Sequence, residues 1–131
     1  MKKVLIVLGL VITLSSCDKN DDEKTDSSLI GEWGLTEVLG DPGDGSGTFQ
    51  AVESNKVIVF HDDGTVTSNG VICDMSIEAN ESSSGTYSLV DSTISSDNCT
   101  NQMKIAFRQY DSELILSYPC IEPCLAKYEK K

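Results

Sequence analysis

Short apolar or alternating segments recur along the chain from Leu29 onward and predict β-strands. They are separated by residues typical of turns, and none carries the 3.6-residue hydrophobic period of a helix over a useful length. The predicted strands cover residues 29–39, 56–60, 65–72, 85–90, 93–95, 103–110, 113–118 and 125–129. The pattern therefore predicts about eight short strands and no long helix.

Two of the turns indicate how these strands pair. The sequence His61-Asp62-Asp63-Gly64 ends in an Asp-Gly pair, which permits the positive φ of a tight hairpin turn, and Asp111-Ser112 is a two-residue turn. Strands joined by short turns pair antiparallel, and a closed barrel leaves no exposed sheet edge. We therefore expect an all-β fold: a small antiparallel up-and-down barrel of about eight strands. It forms one domain at residues 29–131. A barrel of this size encloses either packed side chains or one small ligand.

Several of these segments together resemble a known family. Gly31-Glu32-Trp33 is followed by Phe60-His61-Asp62-Asp63-Gly64, then by Gly85-Thr86-Tyr87, and the chain nears its end with Tyr118-Pro119-Cys120. This ordered set resembles the lipocalin-like domain lipoproteins of the Bacteroidetes group. The resemblance implies a small antiparallel barrel that binds a small apolar ligand. In larger lipocalins an arginine from the last strand packs on the tryptophan; here the only arginine, Arg108, is not on the last predicted strand.

The N-terminus has the order of a secretory signal. Met1-Lys2-Lys3 is basic, residues 4–14 are mostly apolar, and Ser15-Ser16 are small. The apolar run is too short for a transmembrane helix, which needs about 20 residues. We therefore predict a signal peptide at residues 1–16.

The residues at the end of this signal, Leu14-Ser15-Ser16-Cys17, resemble the lipobox of bacterial lipoproteins. The resemblance implies cleavage before Cys17 and attachment of a diacylglyceryl group and a further acyl chain, palmitate being a typical label. One acyl chain anchors a protein only reversibly, whereas several hold it stably. The lipid bilayer is thus an expected partner, held through acylated Cys17.

Residues 17–28 are expected to form the lipidated cysteine and a disordered acidic tether. Residues 18–28 contain no apolar side chain that could offset the entropy of ordering. The run Asp21-Asp22-Glu23 resembles the surface-export signal of Bacteroidetes lipoproteins. Asp18, directly after the cysteine, is instead associated with inner-membrane retention in enterobacterial lipoproteins. We favour an exported outer-membrane lipoprotein exposed at the cell surface, and retention remains the alternative.

The charge balance excludes one class of partner. The net charge is −11, and removal of Lys2 and Lys3 with the signal would make it −13. Such a chain is repelled by nucleic acid, so we expect no nucleic-acid binding. The oligomeric state is not predicted by this sequence.

Four cysteines remain besides Cys17. In an exported domain Cys73, Cys99, Cys120 and Cys124 are expected to form two disulfides, for which three connectivities exist. We favour Cys73–Cys99, worth roughly 3 kcal/mol, with Cys120–Cys124 as the smaller loop. The Cys-x3-Cys spacing lacks the paired pattern of a zinc site, so no metal is expected.

Candidate ligand contacts come from the predicted strands. Trp33, Leu35 and Glu37 share one face of an alternating strand. Facing inward, Glu37 would anchor the polar end of a ligand or pair with Arg108; a twist or bulge that turns it to solvent is the alternative. The remaining candidates are aromatic, and core packing explains them equally well: Trp33, Phe60, Tyr87, Phe107 and Tyr118.

Catalysis is not expected. His61 is the only histidine, and no serine or cysteine stands in a recognisable nucleophile context. No cofactor is expected either. Two functions remain. The first is an anchored module that binds a small apolar ligand, which requires a cavity of about 300 Å³ or more. The second is a surface interaction protein with a filled barrel, whose loops, above all residues 40–48, contact a protein or glycan partner.

Overall fold

The protein is described by a computed structural model that covers residues 28–131. The predicted signal peptide, Cys17 with its acylation, and the acidic tether up to residue 27 lie outside these residues.

The described chain folds into one antiparallel sheet in which every strand pairs with a sequence neighbour, and pairing of the first strand with the last closes a barrel. The predicted all-β barrel is confirmed. A short 3₁₀ turn at Thr100–Gln102 interrupts the strands. The strands are β1 (Gly31–Gly40), β2 (Gln50–Ala51), β3 (Val57–Phe60), β4 (Thr65–Ser68), β5 (Ser83–Ser88), β6 (Thr93–Ser95), β7 (Lys104–Tyr110), β8 (Glu113–Tyr118) and β9 (Cys124–Lys130).

The nine strands fill eight positions of the barrel wall. β2 and β3 both pair with the same edge of β1, β3 with its beginning and β2 with its middle. Residues 52–56 interrupt this wall position but stay attached to β1: the Leu35 N–H donates to the Lys56 carbonyl at 3.0 Å, and the Val52 N–H to the Thr36 carbonyl at 2.9 Å.

A β-bulge in β1 decides which of its side chains face inward. The pairing of β1 with β9 shifts register between Leu35 and Glu37. Trp33 and Leu35 before the bulge are buried, and Val38 after it packs against the core. An extra residue in a strand reverses the alternation of faces. Glu37 therefore points outward, which is the alternative that the sequence left open.

Strand β4 is shorter than the predicted segment 65–72. It ends at Ser68 because the next side chain, Asn69, takes over the backbone partners: its Oδ1 accepts from the Val57 N–H at 2.8 Å, and its Nδ2 donates to the Asn55 carbonyl at 2.9 Å. Ile72 is nevertheless buried, because the connection that follows turns back over the core.

The interior of the barrel is filled by side chains from all around the wall. Phe60, the last residue of β3, has its ring 5.1 Å from that of Tyr87 and 5.7 Å from that of Phe107, both edge to face. The other buried apolar residues are Leu29, Trp33, Leu35, Ile58, Val66, Ile72, Ile94, Cys99, Ile105, Leu114, Leu116, Tyr118, Ala126 and Tyr128.

The two ends of the barrel differ in construction. At one end, the base, Leu29 leads into β1, β9 runs out to Lys131, and tight turns occupy residues 61–64, 89–92 and 111–112. At the other, the loop end, lie the longer connections 41–49, 69–82, 96–103 and 119–123. Residues 28–131 contain no helix long and apolar enough to cross a membrane.

Candidate ligand site

Five of the seven residues predicted to contact a ligand lie in the interior, and two do not. Trp33, Phe60, Tyr87, Phe107 and Tyr118 belong to the core or pack against it. Glu37 lies on the outer face, where its Oε2 is 3.1 Å from the Lys127 Nζ, so its partner is not Arg108. Arg108 is exposed on the outer face of β7. An enclosed ligand would therefore not meet Glu37 or Arg108.

Trp33 is covered at the base by the chain itself. Its indole N–H donates to the Leu29 carbonyl at 2.9 Å, and the Lys130 ammonium lies 4.7 Å from the centre of its ring. Lys130 also donates to the Ser28 carbonyl at 2.7 Å and to the Ile30 carbonyl. The base is thus closed by a cation on the last strand that sequence reasoning missed.

The contacts around Trp33 explain why the first residue of the Gly-x-Trp segment is a glycine. Gly31 has φ +123°, a conformation that L side chains rarely adopt, and a Cβ there would lie 3.0 Å from the Lys130 Nζ. A larger residue would be strained and would also displace the ammonium from the Trp33 ring.

A buried lysine lies at the loop end. Lys56 is only 1 % exposed, and its ammonium donates to the Ser76 carbonyl at 2.6 Å and to the Asp74 carbonyl at 3.4 Å. Burial lowers the pKa of Lys56 to about 8, partly opposed by the Asp74 carboxylate. The sequence contained an indication that Lys56 faces inward, because Lys56, Ile58 and Phe60 are every second residue and therefore share one face of the strand.

Two buried tyrosines, Tyr118 and Tyr128, add hydroxyl groups to the polar side chains of Lys56 and Asp74. Tyr118 is 7 % exposed, and within residues 28–131 its hydroxyl has no hydrogen-bond partner of acceptable geometry. Burial raises the pKa of Tyr118 and the pKa of Tyr128, and the Tyr128 hydroxyl lies close enough to raise that of Tyr118 further. The Asp74 charge acts on both tyrosines and on Lys56, so the four residues form one cluster.

Residues 69–82, the cover segment, close the loop end above this cluster. Ile72 inserts into the core and is 1 % exposed. The Ser83 hydroxyl accepts from the Ile72 N–H at 3.0 Å and donates to the Gly70 carbonyl at 2.6 Å. The contacts of Lys56 hold the middle of the segment. The cover segment thus occupies the place where a ligand would enter the barrel.

Both predicted disulfides are present. Cys73–Cys99 joins the cover segment to the connection before β7, with a Cα–Cα distance of 5.3 Å, and Cys120–Cys124 closes the turn between β8 and β9. The first bond therefore ties the cover segment to the neighbouring connection 96–103 at the loop end.

Open clefts lie on the outside of the wall. Two adjoining clefts on the outer face of β3, β4 and β5 measure about 530 and 460 Å³. Hydroxyl and amide side chains dominate their lining, including Thr67, Ser84 and Asn98 in both. These hydroxyl and amide groups are available to hydrogen-bond with a hydrophilic partner on the outer face.

Comparison with known families agrees with this architecture. Residues 29–114 match the lipocalin-like domain family. The chain therefore belongs to the lipocalin-like domain family. No curated protein and no solved structure matches it.

Proposed function

We propose that the protein is an exported, lipid-anchored lipocalin-like module that binds a small ligand beneath the cover segment. The observation that carries the proposal is the buried Tyr118 hydroxyl, which has no hydrogen-bond partner of acceptable geometry within residues 28–131. A buried polar group left in this state costs about 1–3 kcal/mol. A ligand oxygen that accepts from this hydroxyl would remove the cost.

The surroundings of Tyr118 favour a ligand with an apolar body and one polar group. Tyr128 offers a second hydroxyl, and Lys56 a cationic donor, within the same cluster around Asp74. Below them the barrel is apolar. A carboxylate or carbonyl group would face the donors, and its hydrocarbon part would face the core.

Access requires the cover segment to move. Ile72 fills the space that the ligand body would take, so binding replaces one apolar side chain by another apolar group. Because Cys73–Cys99 joins the cover segment to the connection 96–103, we expect the segment to swing rather than detach. The ligand body is accordingly small, of the order of a branched aliphatic chain.

Native mass spectrometry of protein from its own host, followed by titration with short branched fatty acids, tests this binding. We expect wild type to bind, Tyr118→Phe to lose affinity at least fivefold, and Ile72→Ala to accept longer chains. Tyr110→Phe, at an exposed tyrosine, is the matched control and should bind like wild type. Equal binding by Tyr118→Phe and wild type would contradict the site.

The anchor is supported by the lipobox-like residues before Cys17 and by two disulfides, which persist in oxidising compartments outside the cytoplasm. Metabolic labelling with palmitate tests it. We expect label in wild type and none in Cys17→Ser, whose protein should also leave the membrane fraction. Label retained by Cys17→Ser would place the lipid elsewhere.

A second candidate is favoured by the filled interior. A barrel without room for a ligand would act through its surface, and the hydroxyl and amide groups that line the clefts on β3–β5 would bind a glycan. The connection 41–49 also has a defined backbone shape to present to a partner, because the Asp41 carboxylate accepts from the N–H groups of Gly43, Gly45 and Gly47. Glycan-array binding that is lost in Thr67→Glu but kept in Tyr118→Phe would favour this candidate.

A further inference from the structure

We propose that the β5–β6 turn inserts Leu89 and Val90 into the surface of the bilayer that holds the anchor, so that the barrel stands on its base. This inference rests on the proposed acylation of Cys17. The proposed partner of this apolar turn is the lipid bilayer. Its side chains would lie at the boundary between headgroups and acyl chains, where amphipathic protein surfaces bury apolar side chains.

Exposed apolar side chains are concentrated at the base. Leu89 is 68 % exposed and Val90 is 99 % exposed, side by side at the tip of the turn. Ile30, before β1, and Tyr110, at the β7–β8 turn, are also exposed there. Four of the six exposed large apolar residues in the described part of the chain thus share one end. Single exposed apolar residues are ordinary, whereas a group of them on one surface marks an interaction site.

The turn is held in its shape by backbone and charged contacts. The Phe107 N–H donates to the Ser92 carbonyl at 2.9 Å, and Asp91 Oδ2 lies 3.4 Å from the Lys104 Nζ. The pair Leu89 and Val90 therefore projects from a fixed support and cannot fold back easily onto the wall.

The attachment point of the chain argues for lipid as the partner. Ser28 lies at the base, where Lys130 holds its carbonyl. Ten residues, 18–27, lie between it and Cys17, and this stretch reaches at most about 40 Å even when fully extended. A short linker raises the local concentration of the base at the anchoring surface to the order of millimolar. Weak apolar contacts at the base are then enough to fix the orientation of the barrel.

Charge argues for insertion rather than electrostatic attraction. The base carries Lys130 and Lys131 but also four acidic residues in its turns: Asp62, Asp63, Asp91 and Asp111. Such a mixed surface is not drawn to anionic headgroups. We therefore expect docking on phosphatidylcholine and little dependence on salt.

Tryptophan quenching tests the docking. The full lipidated protein is placed in phosphatidylcholine vesicles with brominated acyl chains, in three forms: Val90→Trp, Leu89→Trp and Ile121→Trp. Ile121 is the matched control, because it is fully exposed but lies in the turn at the loop end. The buried Trp33 is a constant background. We expect the indole introduced at position 90 or 89 to be quenched at least twofold more than the one at 121, at low and high salt alike.

The outcomes separate the inference from the anchor. Vesicle flotation is measured on the same samples. Protein that floats but is quenched equally at 90 and 121 overturns the docking and leaves the anchor standing. Protein that does not float overturns the anchor, and the docking with it. Stronger quenching at 121 would mean that the loop end faces the membrane.

Discussion

The Nζ atom of Lys130 lies 4.7 Å from the centre of the Trp33 ring, so the last strand supplies the cation that packs on the tryptophan of the first strand. The resemblance to larger lipocalins implied an arginine of the last strand at this tryptophan; here Lys130 packs on it, and Arg108 lies on the outer face of β7. The same ammonium holds the Ser28 and Ile30 carbonyls. Lys130 therefore joins the beginning and the end of the domain at the base.

We predict that Lys130→Met destabilises the fold by about 2 kcal/mol. The change removes a cation–π contact worth about 0.5–2 kcal/mol and leaves carbonyls without a charged donor. Lys130→Arg should recover most of this free energy. Urea unfolding measures both.

Lys131→Met is the control for that experiment. Lys131 pairs with Glu32 at 2.9 Å, but both side chains are about half exposed, so its loss should cost little. If Lys130→Met lost as little unfolding free energy as Lys131→Met, the contact of the Lys130 ammonium with Trp33 would not stabilise the base.

The fold could be predicted from the sequence because its signals are local. Turn residues and alternation placed most strands, and the spacing of four cysteines in an exported domain made the observed pairing the favoured one. The bulge in β1 could not be placed, because it lies in the pairing of β1 with β9, the strand at the other end of the domain, and no local residue pattern marks it. Without the bulge, Glu37 keeps the phase of Trp33 and faces inward.

The buried Lys56 gives a prediction about pH. Its pKa in the folded protein, about 8, is below the ordinary value of 10.5, so between these values the unfolded chain binds more protons. Unfolding free energy therefore rises with pH in this window. Relative to Lys56→Met, wild type should gain about 2 kcal/mol between pH 7 and about 9.5.

Denaturant unfolding at a series of pH values measures this difference. The matched control is Lys104→Met, because the Lys104 side chain is well exposed on β7. Its difference from wild type should not change over the same range. A flat curve for Lys56→Met as well would mean that the ammonium reaches water in the folded state.

The two disulfides should differ in their contribution. Cys73–Cys99 closes a loop of sequence separation 26, and Cys120–Cys124 one of separation 4. Because a longer loop restricts the unfolded chain more, we expect Cys73→Ser with Cys99→Ser to cost about 3 kcal/mol, and Cys120→Ser with Cys124→Ser about 2 kcal/mol. Thermal unfolding of the two double variants ranks them; the reverse order would show that the Cys120–Cys124 turn supports the loop end more than the cover segment does.

The sequence allowed one residue of the candidate site to be predicted, but not the residues around it. Tyr118 was identified as an aromatic of the interior, but its partners were not. Lys56 has the inward phase of Ile58 and Phe60, but a lysine at the end of a strand is expected to reach solvent. Its burial follows only from the return of the cover segment over it. Tyr128 comes close to Tyr118 because β8 and β9 are neighbours in the sheet, and this requires the register.

Removing the Tyr118 hydroxyl should separate binding from folding. An ordinary buried hydroxyl stabilises the fold through its hydrogen bonds, and its loss costs about 1 kcal/mol. The Tyr118 hydroxyl is buried without such a bond among the described residues, so Tyr118→Phe should leave the unfolding free energy unchanged or raise it by up to about 1 kcal/mol. Tyr87→Phe is the comparison, because the Tyr87 hydroxyl donates to the His61 carbonyl at 2.6 Å, and this variant should lose about 1 kcal/mol. Urea titrations of the ligand-free proteins give both values. A stable Tyr118→Phe that no longer binds would assign the hydroxyl to the ligand, whereas a loss of stability as large as that of Tyr87→Phe would make it part of the core.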